Sequence, residues 1–311
     1  MLEDFSLTEC MIVCSSALLI ILLLSEVLNW IQLFLSPESD YFPVYPLRFS
    51  FGYAHQNGPH TWKDLYPGSI GNNQSPINIT TRFAVVVQPP EPLRWSNYNM
   101  EPLSMTIANN GHTVIFQGSW ASNARPQLQG GPLTDLYDFS HVLFHWGPSN
   151  EEGSEHTLDY VRYPMELQIV HRKRGIKSTL DAIALGAKDG IAIVSFFLQI
   201  NYADNPYLDH IVRNLWRIIR PGSIVGIPPF PLEWIFSPFN RNYYTYSGSL
   251  SQPPCNEIVT WIVQQEPIAI SISQVEQFRQ LYSNDGPLLL NCRPVQSLND
   301  RDVYFYEESL S

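Results

Sequence analysis

Residues 141–147, His141-Val142-Leu143-Phe144-His145-Trp146-Gly147, decide how the rest of the chain reads. Side chains along an extended strand point alternately to opposite faces, so His141, Leu143 and His145 share one face. Alternating imidazoles on such a face can grip one Zn²⁺ and leave a third ligand to a neighbouring strand. Leu143 has no lone pair to offer. His141 lies on the correct face but roughly 6–7 Å along from Leu143 by strand rise. The segment keeps the setting of a zinc site and has lost part of the site itself.

Further motifs lie on both sides of this strand. Before it come Gln74-Ser75-Pro76-Ile77-Asn78, Asn109-Asn110-Gly111-His112 and Gly130-Gly131-Pro132-Leu133. After it come Gly153-Ser154-Glu155-His156-Thr157, Glu166-Leu167-Gln168-Ile169-Val170-His171, Gly248-Ser249-Leu250-Ser251-Gln252-Pro253-Pro254-Cys255 and Asn291-Cys292-Arg293-Pro294-Val295-Gln296. With these motifs in this order, the chain from about Tyr53 to Arg301 resembles the α-carbonic anhydrases, most closely their catalytically inactive, carbonic anhydrase-related members. The resemblance implies an α+β, sheet-dominated fold: a central twisted, largely antiparallel β-sheet with peripheral helices.

It also implies roles for single residues. The family's three zinc histidines fall on Leu143, His145 and Gln168, so His145 is the only surviving ligand. The retained catalytic positions are His112 for the proton shuttle, Ser251 for the hydroxyl that orients zinc-bound hydroxide, and Glu155 for the acid that accepts from it. Glu166, which supports a ligand in the family, is present two residues before Gln168 and on the same strand face. His141 stands where the family has a supporting amide. The apolar wall of the pocket falls on Val170, Ile193, Leu250 and Trp261, and Ile193 is larger than the Val common there.

These losses bear directly on the chemistry. Three neutral imidazoles hold Zn²⁺ so that its fourth ligand, a water, ionises near pH ~7. One imidazole is a weak site, and the Gln168 carbonyl suits harder ions better than zinc. The expectation is no functional catalytic residue, no bound metal or other cofactor, and no CO₂ hydration. The chain then acts as a binding or scaffold domain for a protein partner that the sequence does not identify. His145 becomes a hydrogen-bonded structural histidine, and Glu155 and Glu166 remain as buried, hydrogen-bonded carboxylates. The alternative is a zinc-dependent carbonate dehydratase with an altered ligand set, using His141 and His145 with Gln168 or a bound anion. A third reading is a small-molecule carrier, with Ser251, Gln252 and His112 facing Val170, Leu250 and Trp261.

Composition sets wider bounds. In 311 residues, 29 Asp and Glu outnumber 18 Lys and Arg, which argues against nucleic-acid binding. The 25 prolines punctuate short apolar runs, as in a sheet-rich fold with irregular connections. Ile191–Ile200 reads as a strand buried on both faces, and Met165–His171 and Val259–Gln265 read as further strands. Asn205-Pro206 opens an expected helix with Leu208, Ile211, Leu215 and Ile218 along its inner stripe. Ser273 and Glu276 have capping-box spacing before a helix carrying Val275, Phe278 and Tyr282. Ser178 caps a shorter helix ending at Leu185, before Gly186.

The apolar run at 10–24, continued through Leu35 with Glu26 as the main interruption, lies outside the domain. It carries no basic residue and no good cleavage site, so it is expected to be an uncleaved membrane anchor, with a cleaved secretory signal as the alternative. The expected divisions are therefore an anchor or signal segment at 1–36, a Pro-containing linker at 37–50, and the enzyme-like domain at 51–308. Membrane association through the N-terminal segment and a membrane-anchored or secreted location in the secretory pathway follow from that reading. A Cys255–Cys292 bridge would need Cα atoms within about 7 Å, which the sequence does not fix.

Overall fold

The run Ile191–Asn201 forms the central strand of the molecule, and its first eight residues are all buried. A near-continuous apolar segment is what a strand covered on both faces requires. Its side chains divide with period two. Ala192, Val194, Phe196 and Leu198 enter the larger core cluster, while Ile191, Ile193 and Phe197 enter a second cluster across the sheet. In this computed structural model the described residues are 51–307, apart from 90, 122 and 237–241.

Among the described residues, ten strands form the main path of a 13-stranded sheet. In chain order they are β1 (Val85–Val87), β2 (Ser104–Asn109), β3 (Val114–Ser119), β4 (Tyr137–Trp146) and β5 (Met165–Lys173). They continue with β6 (Ile191–Asn201), β7 (Ile224–Ile227), β8 (Tyr243–Gly248), β9 (Val259–Gln264) and β10 (Tyr304–Tyr306). Their spatial order is β7-β2-β3-β4-β5-β6-β9-β8-β10-β1. Neighbours run antiparallel except β6–β9 and β10–β1, which are parallel. The sheet-dominated α+β fold with helices at its periphery is as the sequence motifs imply.

The helical segments follow local chemistry with two adjustments. Ser178 caps Thr179–Leu185 by accepting from the Asp181 N–H, and Gly186 ends it at φ 58°, a left-handed conformation that glycine adopts without strain. The expected helix after Pro206 is shorter and broken, with an α-turn at Asp209–Val212 and a 3₁₀ turn at Leu215–Ile218. Its inner stripe holds, since Leu208, Ile211, Leu215 and Ile218 are all buried. The capping box falls on Ser271 and Gln274, two residues earlier than expected, and the helix is Ile272–Arg279. Both spacings exist in the sequence. The strand Ile268–Ser271 pairs with β6 up to Ser271, so the chain is free to turn helical there, and Ser273 instead bonds Asp204. Tyr282, expected on this helix, lies beyond it.

The two cysteines of the domain, Cys255 and Cys292, are buried and free, so the disulfide considered above does not form. The location reading also needs correction. No helix among the described residues is long and apolar enough to cross a membrane. The apolar run at 10–35 and the linker at 37–50 lie outside the described residues.

Candidate functional site

Strands β4 and β5 carry the candidate centre. Their antiparallel register sets His141 opposite Val170, Leu143 opposite Gln168 and His145 opposite Glu166, with a bulge between Phe139 and His141. The two positions that lack an imidazole are therefore direct cross-strand neighbours. Side chains in such pairs stand about 4.5–5.5 Å apart at Cβ, close enough to act as one unit.

Gln168 is buried and turned toward the acids. Its Nε2 donates to Glu155 Oε2 at 2.9 Å and to Glu166 Oε1 at 3.0 Å. His145 Nδ1 donates to the Asn291 carbonyl at 2.8 Å, which leaves Nε2 with the lone pair in the neutral ring. That Nε2 lies 3.4 Å from Glu155 Oε2, yet without hydrogen-bond alignment, so the contact counts as proximity and not as a bond. His141 Nδ1 instead meets Ser140 Oγ at 2.9 Å. Burial, then Arg172 and His171, push the His141 ring down to about 3.

Zinc does not fit this donor set. Leu143 contributes only carbon, Gln168 brings an amide whose Nε2 donates to two carboxylates in place of an imidazole, and His141 hydrogen-bonds Ser140. Among the described residues no group of three or more His, Cys, Asp or Glu is placed to hold a metal ion.

Glu166 is the hub of the buried network. Its Oε2 accepts from the backbone N–H groups of Glu155 and His156, both at 2.8 Å. Its Oε1 accepts from His156 Nδ1 at 2.8 Å, Gln168 Nε2 at 3.0 Å and Ser195 Oγ at 2.7 Å. Burial by itself raises this carboxyl, but the His156 partner, His145 and the Ser195 hydroxyl outweigh it and hold it at about 2. Beyond His156 the chain of bonds runs from Nε2 to the Tyr246 hydroxyl at 2.7 Å and on to Ser75 Oγ at 3.0 Å. Neither Ser195, Tyr246 nor Ser75 stood out as a site residue in the sequence. Ser195 carried a usable signal, a single hydroxyl inside an otherwise apolar strand, which implies a buried partner.

The remaining expected residues are placed as follows. Glu155 Oε1 accepts from the Arg293 backbone N–H at 3.0 Å and Oε2 from Gln168, and no Ser251–Glu155 hydrogen bond forms among the described residues. Ser251 is buried. His112 is only 6% exposed and stacks on Phe51, with ring centroids 3.9 Å apart. Its Nδ1 is buried without a hydrogen bond, and burial lowers its pKa to about 4. Val170, Ile193 and Trp261 are buried in one cluster, and partly buried Leu143 and Leu250 pack against it. Leu143 thus joins the apolar wall.

The buried histidines predict acid sensitivity that begins early. His112, His141 and His171 have folded pKa values lowered from 6.5 to about 4, 3 and 3, each chiefly by burial. Below pH 6.5 the unfolded chain takes up protons that the folded chain refuses, so stability falls as pH drops through that value. Each histidine contributes a slope of about 1.4 kcal/mol per pH unit until its folded pKa is reached. Glu166 adds a further loss between 4.5 and about 2. Urea midpoints measured across pH should fall steeply from about pH 6 to 4. A midpoint that stays level there contradicts the assignment.

Comparisons with known proteins place the chain. The family model for eukaryotic-type carbonic anhydrase matches residues 57–307. Carbonic anhydrase 3 of Sus scrofa is 37% identical over 260 residues, covering 81% of this chain and 96% of the relative. Carbonic anhydrase 1 of Mus musculus is 39% identical over 260 residues, with 81% and 97% covered. Carbonic anhydrase 7 of Homo sapiens is 38% identical over 258 residues, with 81% and 96% covered. These relatives are spanned over almost their whole length by the match, leaving no room in them for a segment like that at 10–35. The membrane-anchored or secreted reading thus finds no support in these relatives or in the described residues. With the fold, the motif order and the family match in agreement, the chain belongs to the eukaryotic-type carbonic anhydrase family.

Proposed function

We propose that this chain is a catalytically inactive carbonic anhydrase-related protein, a domain that works by binding and not by hydrating CO₂. The reading rests on the loss of two of three zinc-ligand histidines, at Leu143 and Gln168. The observation that carries it is the orientation of Gln168, whose amide bridges Glu155 and Glu166. That arrangement stabilises two buried carboxylates without a cation. The polar network survives because removing one member would leave buried partners unpaired, at about 1–3 kcal/mol each.

The test uses the purified full-length chain. Elemental analysis after dialysis should find no stoichiometric zinc, and CO₂ hydration should not exceed that of a heat-denatured control. One tightly held zinc per chain, with hydration above the control, would overturn the proposal in favour of an altered ligand set.

A further inference from the structure

The segment from Leu208 to Arg220 uses one side for the core and leaves the other unpartnered. Leu208, Ile211, Val212, Leu215 and Ile218 are buried. Arg213, Trp216, Arg217 and Arg220 are exposed along the stretch that follows the α-turn and runs through the 3₁₀ turn. Trp216 is 69% exposed, a large apolar ring standing in water.

The charges around that ring are not balanced within the chain. Arg213 is occupied, with its Nη2 2.8 Å from Asp209 Oδ2. Arg217 donates only to neutral oxygens, Asn214 Oδ1 at 3.0 Å and the Gly226 carbonyl at 3.2 Å. Arg220 has no carboxylate partner among the described residues. Two uncompensated guanidinium groups thus sit beside an exposed indole, in a chain whose formal net charge is −11.

Trp and Arg are the residue types that most often dominate interface energetics. A guanidinium also matches a carboxylate with two parallel N–H donors. We propose that this face docks an acidic polypeptide segment of a partner protein, with Trp216 as the apolar anchor and Arg217 and Arg220 pairing with carboxylates. The proposal rests on the binding-domain reading above and says where the partner sits. An acidic protein segment is favoured over a membrane surface because this short stretch offers one exposed ring and no apolar stripe for lying in a membrane interface.

The experiment uses the full chain and two synthetic peptides. One is acetyl-Glu-Glu-Leu-Glu-Asp-Leu-Phe-Glu-Glu-amide, and the other has every acidic residue replaced by lysine. Binding is followed by calorimetry and by the Trp216 indole N–H resonance, identified from its loss in Trp216→Phe. The acidic peptide should bind saturably and shift that resonance, and the lysine peptide should do neither. Trp216→Ala, and separately Arg217→Glu with Arg220→Glu, should each weaken binding by roughly tenfold or more. Because all three side chains are exposed, these variants should unfold at the wild-type urea midpoint.

Equal binding of both peptides, no binding of either, or undiminished binding by the variants would overturn the proposal. Retention on phosphatidylserine-containing vesicles without peptide binding would overturn it too, in favour of a lipid surface. Metal content stays a separate measurement, so a failed docking site and a failed binding-domain reading are told apart.

Discussion

Changing Leu143 and Gln168 to histidine together is expected to give a protein that retains about one zinc ion per chain through dialysis. The two positions face each other across β4 and β5, and His145 stands two residues along on the same face as Leu143. Three imidazoles would then converge from adjacent strands, with the ring at position 168 able to donate to Glu166 as the Gln168 amide does now. Replacing Gln168 also frees Glu155 Oε2 from its amide donor. Each single substitution should hold zinc far more weakly, since it leaves only two imidazoles. Some CO₂ hydration should accompany metal binding in the double variant, limited by Ile193 on the apolar wall. If the double variant folds with the wild-type urea midpoint yet retains no zinc, the pocket has changed by more than these two residues.

Glu166→Ala should destabilise the fold more than any other single change in the network. It would break five buried hydrogen bonds, leaving two backbone N–H groups, His156 Nδ1 and Ser195 Oγ without this acceptor and Gln168 Nε2 with Glu155 alone. Each buried donor left unsatisfied costs roughly 1–3 kcal/mol, so the total loss should reach several kcal/mol. That is a large part of the roughly 5–15 kcal/mol that holds a typical domain together. Urea unfolding should show a matching drop in midpoint. Ser195→Ala removes only one donor and should cost about 1 kcal/mol. Equal effects of the two substitutions would mean that Glu166 is not the hub described.

Both predictions depend on features that were readable to different degrees beforehand. The period-two alternation in β4 and the apolar continuity of β6 exposed the sheet, because burial on one face or two imposes a direct composition rule on a strand. The Ser178 cap and its Gly186 stop were legible because both ends of that helix are set by local hydrogen bonding. The later cap was not. Two Ser-x-x-Glx spacings compete there, and pairing of Ile268–Ser271 with β6 selects the earlier one. The location reading rested on the hydropathy and flanking residues of 10–35, a stretch outside both the described residues and the part of the chain that the family model matches.

The amino-acid sequence by itself determined the family, the strand carrying the centre and the missing imidazoles, because those depend on residue identity and order along the chain. Tertiary structure alone decided where the polar groups point. It turned Gln168 onto Glu155 and Glu166, stacked His112 beneath Phe51, and gathered Ser195, His156, Tyr246 and Ser75 into one buried network. Those contacts join residues far apart in the chain. Each is chosen by the need to satisfy a donor or acceptor shut away from water, which only the packed fold defines.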